Sequence, residues 1–212
     1  MTRDDWFRRT TWTASDAESF FARLNRSRSA FHKSQYLRIQ ASTLAQAGQE
    51  PLVQVALDLL QKLFDEFPDP SQLSSAHLQA AQCYEQLGCI PQAIEHFQRS
   101  LDAQALYPNL DPGTALEYPW FVVMHDLKDH YRAALEILDK AHLAFPVQLF
   151  KAAAVRAFIA HSNRDGLATQ HATEALAAAG LEQSQFRYHR NLGLVGERYA
   201  SQIERLRAIA AA

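Results

Sequence analysis

The chain has 212 residues, of which 48% are hydrophobic and 21% are charged, and its formal net charge is −2, a composition that argues for a folded globular protein and against disorder. No segment approaches the ~20 consecutive apolar residues of a membrane-spanning helix. The N-terminal sequence MTRDDWFRRTTW lacks the apolar run of a signal peptide, so we expect a cytoplasmic protein that does not bind a membrane.

Apolar residues recur every three or four positions along most of the chain, which predicts an all-α protein of about ten helices. The first helix is expected from Ser15 to Ser29, because Ser15 and Glu18 have the spacing of a capping box. Glycine, proline, asparagine and aspartate then collect in seven segments, which predict helix ends at 48–51, 67–71, 88–91, 108–113, 144–146, 162–166 and 180–185.

Residues 76–101 combine small and large residues around a predicted tight turn at Leu87-Gly88. Ala81 and Tyr84 precede this turn, and the residues that follow it in helical spacing are Ala93, Phe97 and Ser100. Small residues suit positions where two helices cross closely, and large ones fill the gaps beside them. This segment resembles a tetratricopeptide repeat, which is a hairpin of two helices repeated about every 34 residues.

The resemblance extends, more weakly, over about residues 35–176. Ala56, Ala134 and Ala168 match the position of Ala93, and the four alanines are 37, 41 and 34 residues apart. The resemblance implies one domain over residues 1–212, a tetratricopeptide-like α-solenoid of antiparallel hairpins. Its parts are an N-terminal capping helix in 1–30, four hairpins in 31–180, and a C-terminal cap and helix in 181–212. A helical fold without repeats is the alternative.

Stacks of this family hold a peptide or a domain of another protein on the concave surface formed by their first helices. The resemblance therefore implies a non-catalytic protein-protein interaction module. Projection of the repeat pattern places on this surface Arg38 from the first hairpin, Gln82, Glu85 and Gln86 from the second, and Asp126 from the third. The same projection adds Gln35, Ser42, Gln46, Leu78 and Val123.

The charge is unevenly distributed along the chain. Residues 39–140 hold fourteen acidic and five basic residues, whereas both flanking segments are basic. If the acids converge, we expect a basic protein or peptide as the partner, as for a bacterial immunity or antitoxin-like protein that covers a basic effector domain. The alternative is that these acids are the solvated outer faces of helices. Nucleic acid is not expected as a partner.

Two segments outside the repeats are rich in aromatic residues and arginine, at 4–12 and 186–195. Both are expected to cap the exposed ends of the helical stack, because their rings supply apolar area. The alternative for the second segment is an exposed recognition patch, since arginine and tyrosine are enriched in interface hot spots. That patch consists of Arg187, Tyr188, His189 and Arg190.

A small metal-dependent helical enzyme is the alternative function, on the evidence of one cluster. His125, Asp126, Asp129 and His130 lie close together in the sequence, and on a helix Asp126 and His130 would share a face. Two ligands do not make a metal site, and the chain contains no HExxH motif and no glycine-rich phosphate loop. We therefore expect no metal and no cofactor. Cys83 and Cys89 form no disulfide framework, and Cys83 is expected in the core.

Overall fold

The computed structural model of the protein describes residues 5–212 and confirms the all-helical prediction. Within these residues there are ten α-helices and no strand. The α-helices are α1 (Ala14–Arg26), α2 (Ala30–Ala45), α3 (Glu50–Glu66), α4 (Pro70–Gln86), α5 (Ile90–Leu106), α6 (Thr114–Met124), α7 (Tyr131–Leu138), α8 (Pro146–Ser162), α9 (Ala168–Ala179) and α10 (Ala200–Ala210). Short 3-10 helices lie at Asp5–Phe7, Lys128–His130 and Glu197–Tyr199. None of the described helices combines the length and the apolar character needed to cross a bilayer.

The chain divides into two compact units, one up to Thr114 and one from Ala115. The first unit contains α1 to α5, and the second contains α7 to α10 together with nearly all of α6. The single domain implied by the repeat resemblance stays a prediction.

The first unit is built from two helical hairpins. Helix α2 packs against α3, and α4 packs against α5. Gly48 and Gly88 lie in the two connecting turns with φ angles of +67° and +71°, a backbone conformation that glycine adopts without strain. Helix α3 also contacts α4, and α2 contacts α4, so the first helices of the two hairpins lie beside each other.

Small residues occupy the helix crossings of the first unit, as the sequence pattern predicted. The side chains of Ala56, Ala81 and Ala93 are fully buried, and so is Ala41 on α2. A methyl group at such a position permits close approach of two backbones, and the surrounding gaps are filled by leucine and phenylalanine side chains. The largest of these fully buried side chains are Phe20, Phe97, Leu24, Leu37, Leu44, Leu60 and Leu63.

The N-terminal cap differs from its prediction. The capping residue of α1 is Thr13, whose hydroxyl accepts from the backbone of Asp16, while the Asp16 carboxylate accepts from the backbone of Thr13. The predicted pair of Ser15 and Glu18 is wrong, because the same spacing two residues earlier forms the box and Arg9 also binds Asp16. The helix ends at Arg26, three residues before its predicted end.

The first aromatic segment covers the core of the first unit, as its capping interpretation expected. Phe7 is buried, and Trp6 and Trp12 pack against the same core. The rings of Trp6 and Trp12 both lie 5.4 Å from the ring of Phe20. Asp4, the first residue of this segment, lies outside the described residues.

The second unit contains the hairpin of α8 and α9, on which α10 packs. The hairpin predicted around Ala134 is not a pair of full-length helices. Helix α6 ends at Met124, a turn and a short 3-10 helix follow, and α7 has only 8 residues. Asp126 lies in the turn after α6 and has a φ of +50°.

Candidate functional site

A polar groove lies between α2 and α4 in the first unit. A cavity of about 100 Å³ there is lined by Ala41, Ser42 and Ala45 on α2, by Gln46 directly after α2, and by Gln79, Gln82, Cys83 and Gln86 on α4. None of these eight side chains carries a charge at neutral pH. The groove is therefore a neutral, amide-rich surface formed by the first helices of two adjacent hairpins.

Helical periodicity explains why these residues meet. On α4 the lining residues have the spacing i, i+3, i+4 and i+7, which places them on one face of a helix. On α2 Ser42 and Gln46 are four apart, and Gln46 Nε2 donates to Ser42 Oγ at 3.4 Å. Because α2 and α4 lie beside each other, the two faces form the opposite walls of one groove.

Arg38 connects the two helices near one end of the groove. Its Nε donates to Gln72 Oε1 at 2.9 Å. In the amide orientation that gives both polar atoms a partner, Gln79 accepts from Arg38 Nη1 at 3.0 Å and donates to the Arg38 carbonyl oxygen at 3.2 Å. Burial lowers the pKa of the Arg38 guanidinium from its ordinary value. Arg38 therefore fixes the separation of α2 and α4, and Gln79 belongs to both the bridge and the groove.

The floor of the groove is made of small residues. Ala41 is fully buried and Cys83 is almost so. Burial raises the pKa of the Cys83 thiol to about 12, so the protonated thiol dominates at neutral pH and a reactive thiolate does not form. This site offers hydrogen bonds and space, and its lining contains no activated nucleophile.

The structure brings only part of the predicted surface together. Gln82 and Gln86 line the groove with Ser42 and Gln46, as projected. Leu78 is 6% exposed and belongs to the core, which the projection missed. Glu85 is half-buried and follows Leu78 by seven residues, so it lies along the edge of α4 that carries Leu78 and outside the groove lining.

Gln79 is the groove residue that the projection missed. Its signal was present in the sequence, because Gln79 precedes Gln82 by three residues and Gln86 by seven. The projected face and the groove lining share Gln82 and Gln86, and a rotation around α4 by less than the ~100° of one residue would have exchanged Leu78 and Glu85 for Gln79 and Cys83. On the second unit the projection also placed Val123 on the surface, and Val123 is buried.

Six of the seven acidic residues in the helices of the two hairpins lie on the second helices, α3 and α5. Helix α2 has no acidic residue, and Glu85 is the one acid within α4. On α3 the side chains of Gln54 and Gln61 donate to Asp58 and Asp65, at 3.5 and 2.8 Å. On α5 the corresponding bond joins Gln98 to Asp102 at 2.9 Å. The acidic residues of these two hairpins therefore do not converge on the groove.

The four residues of the metal hypothesis do not form the arrangement that the sequence suggested. Asp126 and His130 do not share a helical face, because α6 ends before either residue. Asp126 accepts from the Tyr131 hydroxyl at 2.7 Å, and His130 Nδ1 lies 2.9 Å from the Tyr118 hydroxyl. The bond from Tyr131 is the main cause of a lowered pKa at Asp126. Over residues 5–212 no group of three or more histidine, cysteine, aspartate or glutamate side chains could hold a metal ion.

The second aromatic segment is largely exposed. Tyr188 is 83% exposed and its neighbours Arg187, His189 and Arg190 are also on the surface. The Arg187 guanidinium lies 5.5 Å from the centre of the Tyr188 ring. Phe186 is less exposed, at 37%, and the centre of its ring lies 5.1 Å from that of Phe145. Residues 187–190 therefore have the exposure that the recognition-patch alternative requires.

No family model, curated protein or solved structure matches this chain.

Proposed function

We propose that this protein is a non-catalytic protein-interaction module that binds an extended segment of another protein in the groove between α2 and α4. The observation that carries this proposal is the composition of the groove. Three glutamines from α4, a serine from α2 and the glutamine that caps the end of α2 line one cavity above a floor of small residues.

Carboxamides are suited to the main chain of an extended segment. Such a segment presents unpaired N–H and C=O groups, and each glutamine side chain offers both a donor and an acceptor. A segment bound on an uncharged surface can therefore replace the hydrogen bonds that it loses to water. The cavity is also small, about 100 Å³, whereas pockets for whole small-molecule ligands are typically about 300–1,000 Å³. Its size suits a main chain with one side chain inserted.

The geometry of the first unit supports the same proposal. Helices α2 and α4 are the first helices of consecutive hairpins, and in repeat proteins this is the face that holds extended ligands. The bridge from Arg38 to Gln72 and Gln79 holds the two walls at a fixed separation before a partner arrives. A preformed groove loses less conformational entropy on binding than one that must be ordered by its ligand.

The test is a comparison of two matched pairs of glutamine substitutions. A tagged full-length chain is used to isolate partners, and the dissociation constant of each partner is measured with purified proteins. Gln82→Ala with Gln86→Ala removes carboxamides from the groove, and Gln61→Ala with Gln98→Ala removes them from α3 and α5. We expect the first pair to weaken binding by about tenfold or more, since each lost hydrogen bond costs roughly 0.5–1.5 kcal/mol, and the second to have little effect. Equal effects of the two pairs would refute binding in the groove.

A second candidate function has one observation in its favour, which is the acidic face of α3. Helix α3 carries Glu50, Asp58, Asp65 and Glu66 and a single basic residue, Lys62. Asp58 and Asp65 are seven residues apart and therefore share a face of the helix. This acidic face suits a basic protein domain, as in the immunity or antitoxin-like interpretation, in which the chain would cover and inhibit that domain.

The two candidates differ in their dependence on salt. Recognition by the α3 face requires that Asp58→Lys with Asp65→Lys slows association, and that salt slows association of the unmodified protein, because long-range attraction governs the encounter. If the groove alone recognises the partner, the association rate should change little with the two lysine substitutions or with the salt concentration. Stopped-flow or surface-based kinetics at two salt concentrations distinguishes them.

A further inference from the structure

The second unit contains a cavity of its own, of about 230 Å³, where several of its segments converge. Its walls come from the start of α6, the start of α8, the loop at 192–193 and the 3-10 helix Glu197–Tyr199. The cavity contains a buried cation, an exposed cation and an apolar wall, and these features together define the kind of ligand that fits it.

The buried cation is Lys151, which is only 7% exposed. Its Nζ donates to both carboxylate oxygens of Glu117, at 2.8 and 2.7 Å, and lies 5.1 Å from the centre of the Trp120 ring. An ammonium group has three N–H donors, so two of them bind Glu117 and one is left for another acceptor. A buried ion pair of this kind contributes little net stability, because the desolvation of both charges offsets their attraction.

The exposed cation is Arg198. Its guanidinium lies 4.8 Å from the centre of the Tyr199 ring. Arg198 also has a side-chain hydrogen bond to Tyr199. A guanidinium has five N–H donors, so donors remain that a carboxylate can bind. Across the described part of the chain no ion pair includes Arg198. With Glu117 neutralising Lys151, the cavity has a net charge of one positive and favours a single negative charge.

The remaining wall is apolar and held in place. Leu116, Phe145 and Leu192 line it. The loop is fixed to α8 by a hydrogen bond from Val147 N to the Gly193 carbonyl oxygen at 2.8 Å. Gly193 has a φ of +71°, and a Cβ atom on it would lie 2.6 Å from Phe145 Cβ, so only glycine permits this close approach.

We infer that this cavity binds a carboxylate that carries an apolar group. The carboxylate lies at Arg198 and the remaining N–H of Lys151, and the apolar group lies against Leu116, Phe145 and Leu192. The ligand is either a small free carboxylate or the C-terminal residue of a polypeptide, since both present this chemistry. The site is separate from the groove between α2 and α4 and does not depend on the function proposed for that groove.

The test uses calorimetric titration of the full-length chain with N-acetyl-leucine, N-acetyl-leucinamide and the acetylated tripeptide Gly-Gly-Leu. We expect the amide, which has no negative charge, to bind about 10-fold to 100-fold more weakly than N-acetyl-leucine, since hydrogen bonds to charged groups contribute roughly 1.5–3 kcal/mol. Tighter binding of the tripeptide than of N-acetyl-leucine identifies a polypeptide C-terminus, and the reverse order identifies a free carboxylate.

Two arginine variants test the location of the site. Arg198→Gln should weaken binding of the carboxylates by about tenfold or more. Because Arg198 is exposed, we expect this variant to fold like the unmodified chain. Arg207→Gln is the matched control on α10, where Arg207 pairs with Glu204, and it should bind like the unmodified chain. Absence of binding by both carboxylates at millimolar concentration, equal binding of the amide, or equal loss in the two variants would overturn the inference.

Discussion

Ser74 and Ser100 each donate a side-chain hydrogen bond to the main chain of the other. Ser74 Oγ donates to the Ser100 carbonyl oxygen at 3.0 Å, and Ser100 Oγ donates to the Ser74 carbonyl oxygen at 2.8 Å. Both serines are buried, so the exchange joins α4 to α5 at a point where the two backbones approach closely. Ser100 Oγ also lies 2.7 Å from the Thr114 hydroxyl, which must be the donor there because the Ser100 proton is already used.

We predict that Ser100→Ala destabilises the protein by about 1–3 kcal/mol, because it removes the side-chain hydrogen bond to the Ser74 carbonyl oxygen and the acceptor of the Thr114 hydroxyl, both in the buried interior. Ser201→Ala is the control, since Ser201 is exposed on α10, and it should change stability by no more than about 0.5 kcal/mol. Urea unfolding followed by circular dichroism measures both. If the urea midpoint of Ser100→Ala equals that of the unmodified protein, the reciprocal bonds do not stabilise the hairpin.

The close helix crossings give a second prediction. Ala93 and Ala81 are fully buried, so Ala93→Leu or Ala81→Leu should destabilise by roughly 1–3 kcal/mol through overpacking. Ala105→Leu is the matched control, because Ala105 is an exposed residue of α5 and alanine and leucine have similar helix propensities. Thermal unfolding measures all three. Melting curves that coincide for buried and exposed sites would contradict the assigned crossings.

A pair of histidines links α4 to α5 in the first unit. His77 Nδ1 lies 3.2 Å from His96 Nδ1, and the His77 ring stacks on Phe64 with 4.2 Å between ring centres. The pKa of His77 is lowered from 6.5 to about 4, first by burial and then by the nearby charges of His96 and Arg99. Burial also lowers the pKa of His96. Both rings are therefore neutral in the folded protein at neutral pH.

We predict that this pair makes the protein less stable as the pH falls from about 6.5 towards 4. In this range the histidines bind protons in the unfolded chain but not in the folded protein, so acid favours unfolding. The neutral histidine pair makes its full contribution to the free energy of unfolding only above pH 6.5. His77→Gln removes one of the two groups and should make the decline shallower, whereas His189→Gln, at an exposed site, should not. Urea midpoints measured across this range test the difference. Parallel pH profiles for all three proteins would show that the pair does not titrate in this way.

The ion pair of the second unit gives a further prediction. Lys151→Met leaves the Glu117 carboxylate, whose side chain is 32% exposed, without its partner, and should destabilise by about 2–3 kcal/mol. Lys151→Met with Glu117→Gln removes both charges and should recover at least half of that loss. Chemical denaturation of the single and double variants measures this coupling. Equal losses in the two variants would mean that the cost comes from lost packing and not from an unpaired charge.

The helices could be predicted from the sequence where local pattern determines structure. Ala93, Phe97 and Ser100 follow one another at helical spacing, and all three are buried on α5 as expected. The local pattern did not predict the N-terminal cap of α1, because two pairs of residues have the spacing of a capping box. Thr13 with Asp16 and Ser15 with Glu18 both fit a capping box, and the contact from Arg9 to Asp16, which lies outside the motif, favours the first.

The candidate sites were less predictable because their residues meet through tertiary packing. The rotation of α4 about its axis determines whether Glu85 or Gln79 enters the groove, and only packing against α2 sets this angle. Lys151 and Glu117 are 34 residues apart and belong to no motif, so their contact has no local signal. The helical face expected for Asp126 and His130 was wrong, because α6 ends before Asp126 and the backbone there adopts a positive φ.

The central claim, that a partner occupies the groove between α2 and α4, is tested most directly by crosslinking from single positions. A photo-reactive amino acid is placed at Gln82, inside the groove, or at Gln61 on α3, and the full-length chain is irradiated with its partner. We predict a crosslink to the partner from position 82 and none from position 61, with the attached peptide forming one continuous segment. A crosslink from position 61 alone, or equal yields from both positions, would contradict the claim.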